Sequence, residues 1–383
     1  MLLCAYAALC GYLGRDVQQN GDGASYVLQA VEGQPFERSL HVGYLLTLRV
    51  WVHGCSWLGL SPSAAANLLA AVTTALALLL VLNLANQLLD ELPVPLSPGL
   101  RRFLPLAAPL SLLCAEVSWQ AALFAEVYGP LATLLLGHCL ALKQRRDRLA
   151  ATLLLAAVLV HPAAWALWPG LLLASGRTVK TASLKVPAMA MLPWLLCLAL
   201  LAPEWWSGGR GLLAMPEFGR SPWQSLQVAW RMLSRDLALG ATPIVLGAIW
   251  LMSHRGHPAA RRWLLGVLMV CIGAALVLDR YPDNNGQLPA LWMACCLAPW
   301  AAAWLAAASQ KSAQQLAVLA WGAVLLLTIA DATSAHDAVA RKADRQDQQR
   351  QLTCAAQAQT ERPWREVQLQ RLACREQVTI EID

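Results

Sequence analysis

Two acidic residues stand at polar interruptions of a strongly apolar chain. Asp22 lies in a Gly-Asp-Gly stretch within residues 20–46, the first long polar interruption, and Glu126 lies in the segment W-Q-A-A-L-F-A-E-V-Y. Ionisable groups near a bilayer are costly, so their presence there favours a functional use. A carboxylate within hydrogen-bond reach of a hydroxyl can act as a general base. Asp22 and Glu126 are therefore the candidate catalytic pair.

Each carboxylate also has a purely structural interpretation. Asp22 could be the N-cap of a short helix predicted over residues 24–31, a position that Asp favours. The glycines beside it would instead let the backbone approach a ligand closely. Glu126 could be an interfacial charge whose carboxylate reaches water. A divalent ion shared by the two carboxylates stays open as a cofactor, although the chemistry requires no metal.

Two further sites are candidates for substrate binding. His161 precedes a proline within an apolar stretch, where a histidine is either a hydrogen-bonded packing residue or a ligand contact. Arg280 precedes Tyr281 and a turn rich in Asp and Asn. Its guanidinium group suits the geometry of a phosphate, and the alternative is a solvated loop charge.

The composition predicts an all-α integral membrane protein. Of the 383 residues, 57% are hydrophobic and 14% are charged, whereas about 25% of a soluble domain would be charged. Long apolar runs favour helical spans over a membrane barrel, in which apolar residues alternate every second position. About eleven transmembrane helices are predicted within residues 1–334, with a catalytic first outer loop.

The basic clusters predict the orientation of these helices. After a first helix over residues 1–13, the apolar runs predict spans over residues 63–89, 103–118, 121–142, 149–160, 163–174, 186–201, 237–252, 263–278, 288–308 and 316–330. Cytoplasmic loops carry an excess of Lys and Arg. If residues 41–60 form a helix half-embedded in the outer face, the basic clusters all become cytoplasmic. If residues 41–60 cross fully, those clusters fall on the side of the Asp22 loop. We adopt the half-embedded helix.

Residues 335–383 form a different region, which is polar, rich in Gln and Arg, and helical in its spacing. On the predicted topology this tail is non-cytoplasmic, so Cys354 and Cys374 either form a disulfide or remain unpaired. The adjacent residues Cys295 and Cys296 lack the spacing of a metal site.

Nucleic-acid and nucleotide binding are not indicated by the sequence. The formal net charge of +6 is modest, and no basic run is interleaved with stacking aromatic residues. Neither a phosphate-binding loop motif nor a dinucleotide-binding glycine motif is present.

Four short motifs surround the candidate residues: Gly21-Asp22-Gly23, His41-Val42-Gly43-Tyr44, Trp119-Gln120-Ala121 and Ala125-Glu126-Val127-Tyr128. Together they resemble the motifs of GT-C glycosyltransferases, multi-span enzymes that take a sugar from a polyprenyl-phosphate carrier. The most similar branch includes protein O-mannosyltransferase-like members. Its first outer loop reads G-D-S-G-E and then H-P-P-G-Y-P, and a later segment reads W-x-Q-A-x-x-A-E-V-Y. Residues 67–69, His161 with Pro169, and Arg280-Tyr281 with residues 288–289 match further parts of that pattern.

The chain also departs from this pattern. The second acidic residue of the first loop is absent, with Ser25 and Tyr26 near its place, and Val42 stands where the family has prolines. Gln120 lies one position earlier than the glutamine of the family. These departures favour a different acceptor or an altered activity.

The resemblance implies an inverting glycosyl transfer. Asp22 would activate or orient the acceptor hydroxyl, Glu126 and Tyr128 would shape the acceptor side, and Arg280 would stabilise the leaving phosphate. The remaining substrate-binding candidates are His41, Tyr44, His161 and Tyr281. Expected partners are a polyprenyl-phosphate-linked sugar donor, a protein, lipid or glycan acceptor, and membrane lipid. The expected location is the bacterial inner membrane, with the active site facing the periplasm or exterior of the cell envelope.

Two other classes of protein stay open. A transporter of lipid-linked substrates would tend to show internal repeats and broken helices at matching places in its two halves. No such repeat is visible, and the polar residues cluster at one predicted face instead of the midplane. A non-catalytic membrane subunit that has kept the fold is compatible with the altered first loop.

Overall fold

The computed structural model describes residues 21–32, 41–91, 98–113, 115–177, 182–201, 221–227, 258–278 and 286–297. Every regular element in these ranges is helical. The predicted first helix over residues 1–13, the spans over residues 237–252 and 316–330, and the tail with Cys354 and Cys374 lie outside the described residues.

The described part of the chain begins with one long helix among several shorter ones. They are α1 (Gly21–Glu32), α2 (Val42–Ser56), α3 (Pro62–Asp90), α4 (Pro98–Phe103), a 3-10 turn (Leu104–Leu106), α5 (Ala107–Leu113) and α6 (Glu116–Leu123). The second half continues with α7 (Tyr128–Lys143), α8 (Asp147–Val160), α9 (Ala164–Ala174), α10 (Ala182–Leu201), α11 (Pro258–Val277) and α12 (Leu288–Cys295). A short helix at 222–227 lies between α10 and α11.

The longest helix, α3, has a clear start signal in the sequence. Ser61 accepts a hydrogen bond from the Ala64 N–H at 3.2 Å through its Oγ, and Pro62 occupies the first helical position. Both are favoured at a helix N-terminus. Among the described residues, α3 is the one continuous helix that is long and apolar enough to cross a membrane, with a mean hydropathy of 2.4. The predicted total of about eleven spans stays a prediction.

Two predicted spans are broken in the structure. A continuous helix over residues 103–118 is wrong, because the segment Arg101–Leu113 bends by 72° relative to Val117–Leu123. A continuous helix over residues 121–142 is also wrong, because α6 ends at Leu123 and α7 begins at Tyr128. Apolar composition does not show where these breaks fall, since apolar residues continue across each one apart from the single acidic residues Glu116 and Glu126.

Basic residues from several helices meet at one end of the bundle, which we call the basic end. Three ion pairs lie there: Arg101 with Asp90, Lys143 with Glu91, and Arg177 with Asp147. The guanidinium group of Arg262 lies beside Gly176, just after α9. The predicted basic clusters of the loops therefore share one end of the fold.

The opposite end carries His41 and His161, and we call it the histidine end. Helix α8 runs from Asp147 at the basic end to Val160, directly before His161. Helix α2 starts beside α8, where Gly43 contacts Leu159. Further along α2, Trp51 donates its indole N–H to the Ala65 carbonyl near the start of α3 at 2.8 Å. Thus α2 bridges α8 and α3 at the histidine end, while its depth in a membrane stays a prediction.

Helices α9 and α11 pack through a seam of small residues. A Cβ atom on Gly170 would lie 2.6 Å from the Gly266 carbonyl oxygen, and one on Gly273 would lie 2.7 Å from the Ala166 carbonyl oxygen. A Cβ atom on Gly266 would lie 2.6 Å from the Ala174 Cβ. Small residues allow this close approach of two backbones, which is a common way to pack helices in membranes.

Candidate functional site

Glu126 lies in the gap between α6 and α7. Its N–H donates to the Phe124 carbonyl at 2.9 Å, which forms a tight turn after α6. The Glu126 side chain is half-buried, and the following Tyr128, the first residue of α7, is 9% exposed. The positive end of the helix dipole stabilises a negative charge placed directly before a helix. The helix break therefore places the Glu126 carboxylate where the dipole of α7 stabilises its negative charge.

His161 ends α8 and is oriented by its own turn. Pro162 disfavours a helical backbone at the residue before it, and His161 has φ −155 and ψ 122, which is an extended conformation. Its Nδ1 accepts a hydrogen bond from the Ala163 N–H at 3.0 Å. A ring nitrogen that accepts carries no proton, so the neutral His161 ring has its proton on Nε2.

His41 stands directly before α2 and reaches the end of α8. Its Nδ1 lies 2.9 Å from the Val160 carbonyl oxygen. A carbonyl oxygen only accepts, so Nδ1 of His41 donates and the neutral ring has the opposite tautomer to His161. The two ring centroids are 4.6 Å apart, with planes tilted by 44°. Two imidazoles that are distant in the sequence therefore lie side by side.

Three tyrosines surround these imidazoles. Tyr26 on α1 meets His41 edge-on at 5.7 Å between ring centroids and meets Tyr44 edge-on at 5.4 Å. The Tyr128 ring lies 6.2 Å from the His161 ring and nearly parallel to it. Edge-to-face and offset aromatic pairs of this kind are stabilising. We call these five residues the imidazole–tyrosine cluster.

Gly43 explains how the cluster can form. A Cβ atom at this position would lie 2.7 Å from the Leu159 Cβ and 3.0 Å from the Leu159 carbonyl carbon. Only a residue without a side chain therefore lets α2 approach α8 this closely. The approach places His41 and Tyr44, which flank Gly43 in the sequence, against the His161 turn.

Both imidazoles lie at helix ends and are neutral at pH 7. Although His41 keeps some exposed surface, dense packing around its ring lowers its pKa from 6.5 to about 4, against a smaller opposing effect of the bond to Val160. Burial, and then the neighbouring His41, lower the pKa of His161 well below its ordinary value. The pair therefore offers hydrogen-bonding nitrogens without a positive charge.

The cluster is connected to one of the two predicted carboxylates. Tyr44 interacts electrostatically with Glu126 and with Tyr26. The side chain of Asp22 lies outside the described part of the structure. Its backbone lies in the first turn of α1, which begins at Gly21, so the predicted start of this helix at residue 24, with Asp22 as its N-cap, is wrong. Because Tyr26 lies one helical turn after Asp22 and contacts the cluster, the start of α1 is adjacent to the cluster.

The remaining predicted site residues are not placed by the structure. Arg280 and Tyr281 lie outside the described residues, so the phosphate-binding role of Arg280 stays a prediction, as does the meeting of Asp22 with Glu126. Within the described ranges, no group of three His, Cys, Asp or Glu side chains is arranged to hold a metal ion. A divalent ion shared by Asp22 and Glu126 stays open.

Tyr26 is a residue of the cluster that sequence reasoning does not select. The sequence shows it only as a replacement near the place of an acidic residue. Its spacing of four residues from Asp22 was nevertheless an available signal, because residues four apart share one face of a helix. Its contacts with His41 and Tyr44 depend on the packing of α1 on α2, which the sequence does not reveal.

Comparison with known proteins places this arrangement in a structural class. No model of a known protein family matches the chain, and no curated protein matches it either. Solved structures do match, at low sequence identity. At the identity found, the likeness shows the fold alone. The predicted O-mannosyltransferase branch and the roles of the motif residues stay predictions.

Two of the matching structures are of ArnT from Cupriavidus metallidurans. The crystal structure of ArnT bound to undecaprenyl phosphate has a TM-score of 0.53 at 14% identity, covering 98% of this chain and 77% of that one. The crystal structure in the apo state has a TM-score of 0.50 at 14% identity, covering 98% and 76%. The similarity therefore extends over almost the whole of this chain.

Proposed function

We propose that this protein is a membrane glycosyltransferase that moves a sugar from a polyprenyl-phosphate carrier to an acceptor hydroxyl at the histidine end. The convergence of separate motif segments carries this proposal. The segments with His41, Tyr44, Glu126, Tyr128 and His161 are far apart in the sequence, yet their side chains contact or influence one another. A shared binding site gives a common reason for all of these motifs.

The chemistry of the cluster suits a neutral, hydroxyl-rich group. Aromatic rings offer apolar faces to the C–H groups of a sugar, and neutral imidazole nitrogens hydrogen-bond to hydroxyls. The cluster supplies no positive charge of its own, so the phosphate of the donor would bind elsewhere, with Arg280 as the candidate clamp. Sugar and phosphate would thus be held by different parts of the site.

The reaction would be an inverting displacement. Asp22 would take the proton of the acceptor hydroxyl while its oxygen attacks the anomeric carbon, and the carrier phosphate would leave from the opposite face. Glu126 would hold the acceptor from the α6–α7 break, beside Tyr128. The acceptor class, whether protein, lipid or glycan, is left open.

The distribution of charge supports an orientation in the membrane. The basic end gathers arginine and lysine residues from several loops, as expected for a cytoplasmic face. The histidine end would then face the periplasm or the exterior. ArnT was crystallised with undecaprenyl phosphate, and we extend a carrier of this type, and a place in the bacterial inner membrane, to this chain.

The test is transfer from a panel of radiolabelled polyprenyl-phosphate sugars by the purified protein. We expect Asp22→Asn and Glu126→Gln each to lower the rate by a factor of about 100 or more, the usual size of a general acid–base contribution. The matched control is Asp90→Asn, which changes an exposed carboxylate at the basic end and is expected to keep the rate. Thermal unfolding of all three variants should stay close to that of the unmodified protein.

Two results would contradict the proposal. If no donor of the panel is transferred or hydrolysed, and both variants lose only association with another membrane protein, the chain is a non-catalytic subunit. If both variants keep full function in the movement of a lipid-linked substrate across vesicles, it is a transporter.

A further inference from the structure

The described tryptophans differ in how their indole N–H groups are satisfied. In one set the N–H donates within the protein: Trp51 to the Ala65 carbonyl, Trp119 to the Leu113 carbonyl, Trp263 to the Met293 carbonyl, and Trp292 to the Ser118 hydroxyl. Trp57 and Trp223 are 91% and 68% exposed. The third set, Trp165, Trp168 and Trp194, has buried N–H groups with no hydrogen-bond partner.

Two indoles of this last set, Trp165 and Trp194, contact each other, and Trp168 lies on the same helix as Trp165. We call the three the indole triad. Trp165 and Trp168 are three residues apart on α9 and therefore share one side of that helix. Trp194 on α10 is 7% exposed and meets the Trp165 ring edge-on at 6.0 Å between centroids. Trp165 is the second residue of α9 and lies four residues after His161 in the chain. The start of the triad is therefore at the same end of the fold as the imidazole–tyrosine cluster.

A buried N–H group without an acceptor is unfavourable in an apolar environment, because its hydrogen bond to water has been lost without replacement. One such group could be a local defect, but two on contacting rings, with a third three residues along the same helix, indicate that an acceptor from outside the protein belongs there. The triad consists of donors, so the missing partner must supply oxygen or nitrogen acceptors.

The surface of α10 indicates what else this partner contains. Its outward side is strongly apolar, and the large side chains exposed there are Met189, Met191, Leu192, Leu195, Leu196 and Leu200. A molecule with an acceptor-rich head and a long apolar tail would satisfy both the indole N–H groups and this surface. Indole rings are also enriched where lipid head groups meet the apolar core of a membrane.

We propose that the indole triad binds the phosphate oxygens of a polyprenyl phosphate, with the prenyl chain along the apolar side of α10. This inference rests on the proposed function and assigns a route by which the carrier approaches the cluster. The N–H groups of the three indoles are buried, so the surrounding side chains must move when the lipid binds. Bulk phospholipid is the other source of a phosphate with an apolar tail.

The experiment measures binding of undecaprenyl phosphate to purified protein in a phosphate-free detergent, from the shift in unfolding temperature with lipid concentration. Parallel titrations use undecaprenol, which lacks the phosphate, and phosphatidylglycerol, which represents bulk lipid. The variants are Trp165→Phe, Trp194→Phe and their combination, since phenylalanine keeps an aromatic ring and removes the N–H donor. The control is Trp263→Phe, which removes a satisfied N–H at the basic end.

We expect the double variant to bind undecaprenyl phosphate about tenfold more weakly or worse, which is the effect of losing about one hydrogen bond. Each single variant should lower the lipid-free unfolding temperature less than Trp263→Phe does, because each leaves a smaller buried ring but only Trp263→Phe also removes an internal hydrogen bond. Trp263→Phe should lower that temperature and leave the Kd unchanged. Undecaprenol and phosphatidylglycerol should bind weakly to every form.

Unchanged binding of undecaprenyl phosphate by the double variant would overturn the inference and leave the proposed function standing. Equal binding of phosphatidylglycerol, with the same loss in the double variant, would make the triad a site for bulk lipid and would also overturn it. If the unmodified protein binds no polyprenyl phosphate, the inference and the proposed function fail together. Should the double variant not fold, the two single variants decide between these outcomes.

Discussion

Glycine is required both in the seam between α9 and α11 and in the imidazole–tyrosine cluster, but its role differs between the two regions. In the seam, Gly170, Gly266 and Gly273 bring two backbones together with only small side chains between them. In the cluster, Gly43 brings α2 against α8 so that the large polar rings on each side of it meet those of other helices. The same missing side chain serves packing in one region and a binding site in the other.

This difference predicts separable effects of mutation. A larger residue in place of a seam glycine should reduce the stability of the whole bundle, because its side chain would force α9 and α11 apart. Damage at Gly43 should mainly displace His41 and Tyr44 from the His161 turn. Stability and activity measured together therefore distinguish a scaffold region from a site region.

The largest effect is expected for Gly266→Leu. Its Cβ would lie 2.6 Å from both the Ala174 Cβ and the Gly170 carbonyl oxygen, so α9 and α11 must move apart. Overpacking of this kind costs about 3 kcal/mol or more when backbone blocks the new side chain. We expect a large drop in unfolding temperature in detergent, with activity lost in proportion to folded protein. Full stability of this variant would show that the seam is not closely packed.

A smaller loss of stability with a disproportionate loss of activity is expected for Gly43→Leu. Contact with Leu159 forces α2 away from α8 at a cost of about 1–3 kcal/mol. Because this movement separates His41 from the Val160 carbonyl, the folded fraction should transfer sugar far more slowly. The measurement is transfer rate per folded molecule, alongside thermal unfolding.

Gly54→Leu is the matched control for both glycine variants. Gly54 lies on α2, as Gly43 does, but a Cβ there would meet no atom within 4 Å. Leucine is a better helix former than glycine by up to about 1 kcal/mol, so stability should stay or rise and activity should not change. Equal damage from Gly43→Leu and Gly54→Leu would contradict the role given to the Leu159 contact.

The smallest effect concerns pH. The folded pKa of His41 is lowered to about 4 from 6.5, so the unfolded chain binds a proton first as the pH falls. The contribution of His41 to the free energy of unfolding is therefore fully present above pH 6.5. It decreases as the pH falls toward 4, by about 1 kcal/mol over the first pH unit below 6.5. His41→Phe should flatten this dependence in thermal unfolding measured between pH 7 and pH 5. An unchanged pH dependence in the variant would mean that other groups cause it.

Much of the helical framework could be predicted because its signals are local. The run at residues 63–89 is continuous and apolar, and Ser61 with Pro62 marks its start, so prediction and structure agree closely there. The break before Tyr128 contains Glu126, but one charged residue among Phe124, Ala125 and Val127 does not show where a helix stops. Local hydrophobicity reports burial and does not report where a helix stops.

The candidate site was predictable as a set of residues but not as an arrangement. The motifs selected His41, Tyr44, Tyr128 and His161, and the structure brings these four together. Their opposite tautomers depend on the Val160 carbonyl and the Ala163 N–H, which only the folded backbone places. The unsatisfied indoles of α9 and α10 are a property of tertiary packing, so no sequence pattern announces them.

The interruption between α6 and α7 has a consequence for the surroundings of the protein. Peptide groups outside a helix need hydrogen bonds from protein or water, and hydrocarbon tails supply neither. The wall of the fold at residues 124–127 must therefore be sealed from the bilayer or wetted by solvent. If solvent reaches this side, a water-soluble acceptor of the proposed reaction would enter here, and the lipid-linked donor would enter from another side of the fold.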